Sequence, residues 1–206
     1  MPDAAEWLVF LGATAVFAVL PGPGVLYVLA RSLRGGRGEG IRSAVGTCLG
    51  ALVHVVAAAF GLSAVLATSA TAFTAVKLAG AAYLVYLGLR GLFGRHEQTG
   101  PDRAPRGSAL VQGVLTEVLN PKTALFFLAF LPHFVHPERA PAPLVFLLLG
   151  LVVVGSALVA DLTVALCAGP LGERLMGNLR WQNRQRVATS LTMIGLGGAL
   201  ALADNG

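Results

Sequence analysis

Charge is scarce in this chain. Asp, Glu, Lys and Arg make up 12% of its 206 residues, about half the share found in an ordinary soluble domain. Hydrophobic residues make up 55%, and the mean hydropathy is +0.73. Too little polar surface exists to cover such a core in water, so lipid is the expected solvent. Cysteine is nearly absent. Cys48 and Cys167 are the two present, both inside apolar runs, which excludes a disulfide framework and reads as small buried hydrophobes. No HExxH, GxSxG or paired CxxC arrangement occurs. That argues against a membrane-embedded protease or hydrolase, and no enzyme activity and no cofactor are expected. The net charge of +5 does not point to nucleic acid. Twelve of the fifteen Lys and Arg fall in three short clusters, Arg31 to Arg42, Arg90 to Arg106 and Arg174 to Arg186, without the aromatic interleaving of a nucleic-acid groove.

What the chain does have is long apolar runs. Six segments are long enough to cross a bilayer as helices: about 6–32, 41–67, 72–93, 108–132, 143–168 and 187–203. A polar linker covers 94–107. Residues 7–20 have the length of a signal-peptide core, but Asp3 and Glu6 precede them where basic residues belong, so the first span is expected to be retained. The three Arg clusters fall in loops one, three and five. By the positive-inside rule those loops are cytoplasmic and both termini face outward. Lys77, near the outer end of the third span, is expected to snorkel to the interface.

Three spans, a linker and three more spans form a duplication. Because each half has an odd number of spans, the second half is inverted. The fold class expected is therefore an all-α membrane protein in a single domain over 1–206. Its six transmembrane helices form a 3+3 inverted repeat, with repeat 1 over about 1–93 and repeat 2 over about 108–206.

The first and fourth spans are interrupted, at Pro21-Gly22-Pro23-Gly24 and at Asn120-Pro121-Lys122. A proline in a helix has no N–H to donate, so Pro21, Pro23 and Pro121 free the carbonyls of Phe17, Val19 and Glu117. In hydrocarbon such a carbonyl is tolerated only where it is buried in protein or lines a wet cavity. Interrupted spans at matching places in two halves point to a transporter's binding site. Ionisable residues in the spans are functional candidates by default. Lys122 reads either as a holder of a substrate carboxylate or as a neutraliser of Glu117 and cap for the freed carbonyls. Asn120 suits both roles. Asp161, in the fifth span, reads as a proton-coupling site or a partner for a substrate ammonium. The alternative is an ion pair with a loop-one Arg or with Lys122. Glu117 shares the first two roles.

His54, at the centre of the second span, reads as a histidine bonded to Thr47 or Ser63, or as a proton relay. Tyr83 and Tyr86 read as interfacial or packing residues. Gly46-x-x-x-Gly50, with the glycines of the third and sixth spans, lets backbones approach closely, for compactness or a homodimer. Gly35 to Gly40 reads as a cytoplasmic turn. His133, His136 and Glu138 crowd loop four as a weak metal-site lookalike.

Five stretches taken together resemble the LysE/RhtB family of bacterial amino-acid exporters: Pro21-Gly22-Pro23, the basic turn Gly36 to Ile41, Gly46 to Gly50 to His54, Gly80 to Gly88, and Asn120-Pro121-Lys122-Thr123 to Phe127. The likeness runs over essentially the whole chain. The position after Pro-Gly-Pro, often Asn or Asp in such proteins, is Gly24 here. The resemblance implies a multi-pass transporter of the bacterial inner membrane, exporting amino acids or their derivatives on the proton gradient. Its partners would be a small-molecule substrate, protons and membrane lipid. Metal or inorganic cation export and a passive channel are the alternatives.

Overall fold

The computed structural model describes residues 2–68, 70–93, 107–176 and 179–202, and every element among them is helical. Residues 94–106 of the linker and the Lys77 side chain lie outside the described residues. Helix α1 (Ala4–Val19) opens on a capping box: Glu6 N–H donates to Asp3 Oδ1 at 2.9 Å and Asp3 N–H to Glu6 Oε2 at 2.8 Å. It stops at Leu20, and α2 (Pro23–Val56) starts with Pro23 in its first turn, where a missing N–H costs nothing. Helix α2 is divided at Gly36, whose φ of 73° is left-handed, a conformation open to glycine at little cost. This is the Gly-rich turn expected between the first two spans.

A π-helical stretch, Ala57–Leu62, leads into the short α3 (Ser63–Thr68). Helix α4 (Ala70–Phe93) completes the first half. In the second half, α5 (Ala109–Val118) and α6 (Pro121–Leu125) meet at the Asn120-Pro121 break. The chain then continues through a π-helical turn, Phe126–Phe130, and a 3-10 turn, Leu131–Phe134. The two arms of this broken helix are bent by 43°. Helices α7 (Ala142–Met176) and α8 (Leu179–Leu202) follow.

By length and apolarity two helical stretches qualify to cross a membrane, Pro23–Val65 and Ala142–Ala168, and the bent pair Ala109–Val118 with Pro121–Phe134 makes a third. The apolar helices Ala4–Val19 and Leu78–Arg90 are shorter. Large apolar side chains face outward along these helices, among them Leu8, Val9, Phe60, Leu151 and Val159. Lipid tails are as apolar as these side chains, so the helices are held by close packing and polar contacts more than by the hydrophobic effect.

The most extensive contacts pair α2 with α5, α2 with α7, and α4 with α8. The first pairing depends on small residues. A Cβ at Gly46 would collide with the Leu110 carbonyl, and one at Gly113 would lie 2.8 Å from the Ser43 carbonyl. A seam of rings runs along the inside of α1 and the second broken helix. Phe17 meets Phe126 at 4.3 Å between centroids, Phe126 meets Phe130 at 4.8 Å, Phe130 meets Phe134 at 4.9 Å, and Phe134 meets Phe10 at 5.4 Å.

Two polar clamps tie the halves together at opposite ends. At one, Glu6 Oε1 lies 2.8 Å from His136 Nε2, with Glu138 and Arg139 beside them. At the other, Tyr27 Oη donates to the Ala109 carbonyl at 2.8 Å, and Arg31 donates to the Gly107 carbonyl at 2.7 Å while reaching Glu39. His136 is thus in hydrogen-bond contact with α1. Among the described residues no group of three acids, histidines or cysteines is arranged for a metal.

Leucine at position 46 forces α2 from α5 and is expected to destabilise the protein by about 1–3 kcal/mol, as overpacking does. Gly12→Ala, at a site with nothing within 4 Å of the new methyl, is expected to be neutral or mildly stabilising. Thermal unfolding of both variants in one detergent checks the contrast.

Candidate functional site

The two breaks touch. Pro21 removes the N–H that would have bonded the Phe17 carbonyl, and the last regular bond of α1 runs from Leu20 N–H to the Val16 carbonyl at 2.9 Å. The exposed end is capped from the other half of the chain. Lys122 Nζ donates to the Phe17 carbonyl at 2.7 Å and to the Leu20 carbonyl at 2.6 Å, and it lies 4.2 Å from the centre of the Phe17 ring. Of the two readings of Lys122, capping of the freed carbonyls is the arrangement observed. Among the described residues no ion pair within 4 Å joins it to Glu117.

The second break mirrors the first. Pro121 would leave the Glu117 carbonyl bare, and it instead accepts from Asn120 N–H and from His54 Nε2, both at 3.0 Å. A carbonyl only accepts, so this contact puts the His54 proton on Nε2. The expectation that His54 bonds Thr47 or Ser63 is corrected by this contact. Both hydroxyls are engaged with carbonyls of their own helix, Thr47 with Ala44 and Ser63 with Ala59, which leaves the ring to reach across.

The Glu117 side chain is held by its own break. Oε2 accepts from Asn120 Nδ2 at 3.0 Å and Oε1 from Thr123 Oγ1 at 2.5 Å. Asn120 Oδ1 meanwhile caps α6 by accepting from Lys122 N–H at 3.0 Å. Glu117 lies directly against the first break, where a Cβ on Gly24 would sit 2.5 Å from Oε2. A Cβ on Gly22 would sit 2.9 Å from Lys122 Cδ. Glycine at both places lets the two breaks close on each other.

Asp161 enters from α7. The ion pair with a loop-one Arg is not formed: Arg31 and Arg42 pair with Glu39, and Asp161 Oδ2 lies 2.8 Å from Thr47 Oγ1. Thr47, Glu117, Asn120, Lys122 and Asp161 are all buried, none exposing more than 9% of its surface. With Gly24 they line a cavity of about 40 Å³. Such a volume holds a few waters and is far below the 300 Å³ or so of a typical ligand site, so an amino acid does not fit it in this conformation.

The structure therefore brings Gly22, Gly24, Asn120, Lys122, Glu117 and Asp161 to one place. Pro21, Pro23 and Pro121 shape its edges, and His54 stands behind Glu117. Tyr83 and Tyr86 stack on each other at 6.1 Å and are about half exposed, in keeping with packing at a surface. Thr47 and Thr123 belong to the site and were not singled out as site residues from sequence. Thr47 lies seven residues before His54, two helical turns on the same face, and that spacing was the legible signal.

A model of the LysE type translocator family matches residues 15–204 of this chain. A Vibrio cholerae membrane protein is 34% identical over 163 residues, covering 74% of this chain and 75% of its own. One from Pseudomonas aeruginosa is 34% identical over 214 residues, covering 96% and 94%. A homoserine/homoserine lactone efflux protein of Salmonella typhimurium is 28% identical over 174 residues, covering 82% and 81%. No solved structure gives a significant match. With two broken helices closing on a buried polar chamber and a family match over nearly its whole length, the chain belongs to the LysE type translocators, a transporter and not an enzyme.

Proposed function

We propose that the protein exports amino acids or their derivatives across the bacterial inner membrane by proton antiport, as a six-span inverted repeat with both termini outside. The observation that carries this reading is the meeting of the two breaks around one chamber holding Lys122, Glu117 and Asp161. The helix pairings support the repeat. Exchanging the halves turns the α2–α5 contact into the contact of α7 with the first broken helix and leaves α4–α8 unchanged. The clamps resemble each other under the same exchange: one joins the start of α1 to the turn before α7, the other the start of α5 to the arm of α2 that leads into the turn at Gly36.

In this reading the substrate sits between the breaks. Its carboxylate faces the first turn of α2, which has no side-chain cap and is the positive end of the helix dipole. Pro21, Gly22, Pro23, Gly24, Asn120, Pro121 and Lys122 form its walls. Asp161 carries the coupling proton, while Glu117 and His54 hold the second break in shape. The cargo class is supported by the relative named for homoserine and homoserine lactone. Those two molecules share an amino group, and only one has a free carboxylate. Rocking of one repeat against the other opens the chamber to each side in turn.

Cells loaded with radiolabelled homoserine, threonine, leucine or lysine are expected to export at least one of them through this protein, and an uncoupler is expected to stop accumulation outside. Asp161→Asn is expected to lower uphill export by about tenfold or more, the scale of losing one interaction used in the transport step. Export equal to wild type would refute the role of Asp161. Gly24→Val, which drives Glu117 from its place, is expected to impair export while the protein still reaches the membrane, as read by immunoblot of the membrane fraction.

A further inference from the structure

Lys122 occupies a receptor built for a primary ammonium. Two carbonyl oxygens at 2.7 and 2.6 Å and the face of the Phe17 ring at 4.2 Å surround Nζ. These are the acceptors and the π surface that an ammonium prefers. The receptor sits at the C-terminal end of α1, the negative end of a 16-residue helix dipole.

Inside a membrane these carbonyls need a donor whenever the protein is folded. If Lys122 leaves them, another cationic donor has to arrive. Glu117 is not the group that would draw Lys122 away, because both of its oxygens already accept bonds, from Asn120 and Thr123. Asp161 differs. The Thr47 hydroxyl has one hydrogen and two oxygens within reach, the Ala44 carbonyl at 2.9 Å and Asp161 Oδ2 at 2.8 Å. With a proton on Asp161, the carboxyl donates to Thr47 and Thr47 donates to Ala44, and every group is satisfied. Without that proton, a single shared hydrogen is all Asp161 receives from the described residues, and the carboxylate is the least satisfied charge among those lining the chamber. The groups facing it there are Thr47, Cys48, Glu117 and Lys122, and Lys122 is the cation among them.

Resting on the export reading above, we propose that the Phe17 and Leu20 carbonyls with the Phe17 ring form the amino-group site of the substrate, occupied by turns by Lys122 and by the cargo. Protonated Asp161 leaves Lys122 on the carbonyls and the site closed to cargo. Loss of that proton draws Lys122 to Asp161, and the substrate ammonium takes the vacated acceptors. Proton and substrate thus exclude each other, the condition for antiport. The lysine stem passes over Gly22, so its movement needs no shift of a neighbouring side chain at that position.

The chain has two lysines, Lys77 and Lys122, so protein labelled with 15N-lysine in lipid nanodiscs gives two side-chain ammonium resonances. Homoserine and rising pH are each expected to move the Lys122 resonance toward the same end state, leaving Lys77 unmoved. In binding measurements homoserine is expected to bind wild type more tightly as pH rises, and Lys122→Met with no dependence on pH. Asp161→Asn is expected to weaken binding by about tenfold or more, and adding Lys122→Met to it is expected to restore binding. A double variant weaker than either single one would mean that Asp161 grips the amino group itself, and would overturn the shared site. Binding to wild type with an unmoved Lys122 resonance overturns the shared site alone. No homoserine binding at any pH overturns the amino-acid reading and the shared site with it.

Discussion

A backbone carbonyl without a donor costs a membrane-embedded helix several kcal/mol, and this fold is arranged around repairing two of them. Proline creates both, at Phe17 and at Glu117. Neither is repaired from its own helix alone. Lys122 crosses to the first and His54 to the second. Each repair ties together elements far apart in sequence, so the breaks that weaken two helices also fix how the halves meet.

The rest of the packing serves that meeting. Gly46, Gly50 and Gly113 bring α2 and α5 into backbone contact, which carries Glu117 to the side of Gly24 and His54 within reach of the Glu117 carbonyl. The ring seam from Phe10 to Phe126 holds α1 against the second broken helix beyond the break. The chamber between is small, and three ionisable side chains and two threonines share it with most of their hydrogen bonds already made.

Much of this was legible in the sequence. The apolar runs and the prolines identify helices, breaks and even which carbonyls lose their partners, because those depend on local covalent chemistry. Helix α1 and the start of α2 lie over the first expected run and α5 with its continuation over the fourth, while α7 continues to Met176 and α8 starts at Leu179, where a longer loop was expected. What was not legible is which donor repairs which carbonyl. Glu117 and Lys122 are five residues apart and invited a pairing, but the turn at Asn120 and Pro121 sends one side chain into its own break and the other across to α1. His54 was read against its own helix, yet Thr47 and Ser63 are each engaged there with carbonyls of their own turn. Such choices depend on the register between helices, which no single stretch encodes.

The two clamps differ in kind. One joins two side chains, His136 and Glu6, and so depends on the identity of both residues. The other joins side chains to backbone: Tyr27 and Arg31 donate to the carbonyls of Ala109 and Gly107, acceptors that any residue at those two positions would offer. A substitution at either partner can therefore undo the first closure, whereas the second is open to loss from one side alone, so two closures alike in topology are unequal in how they fail.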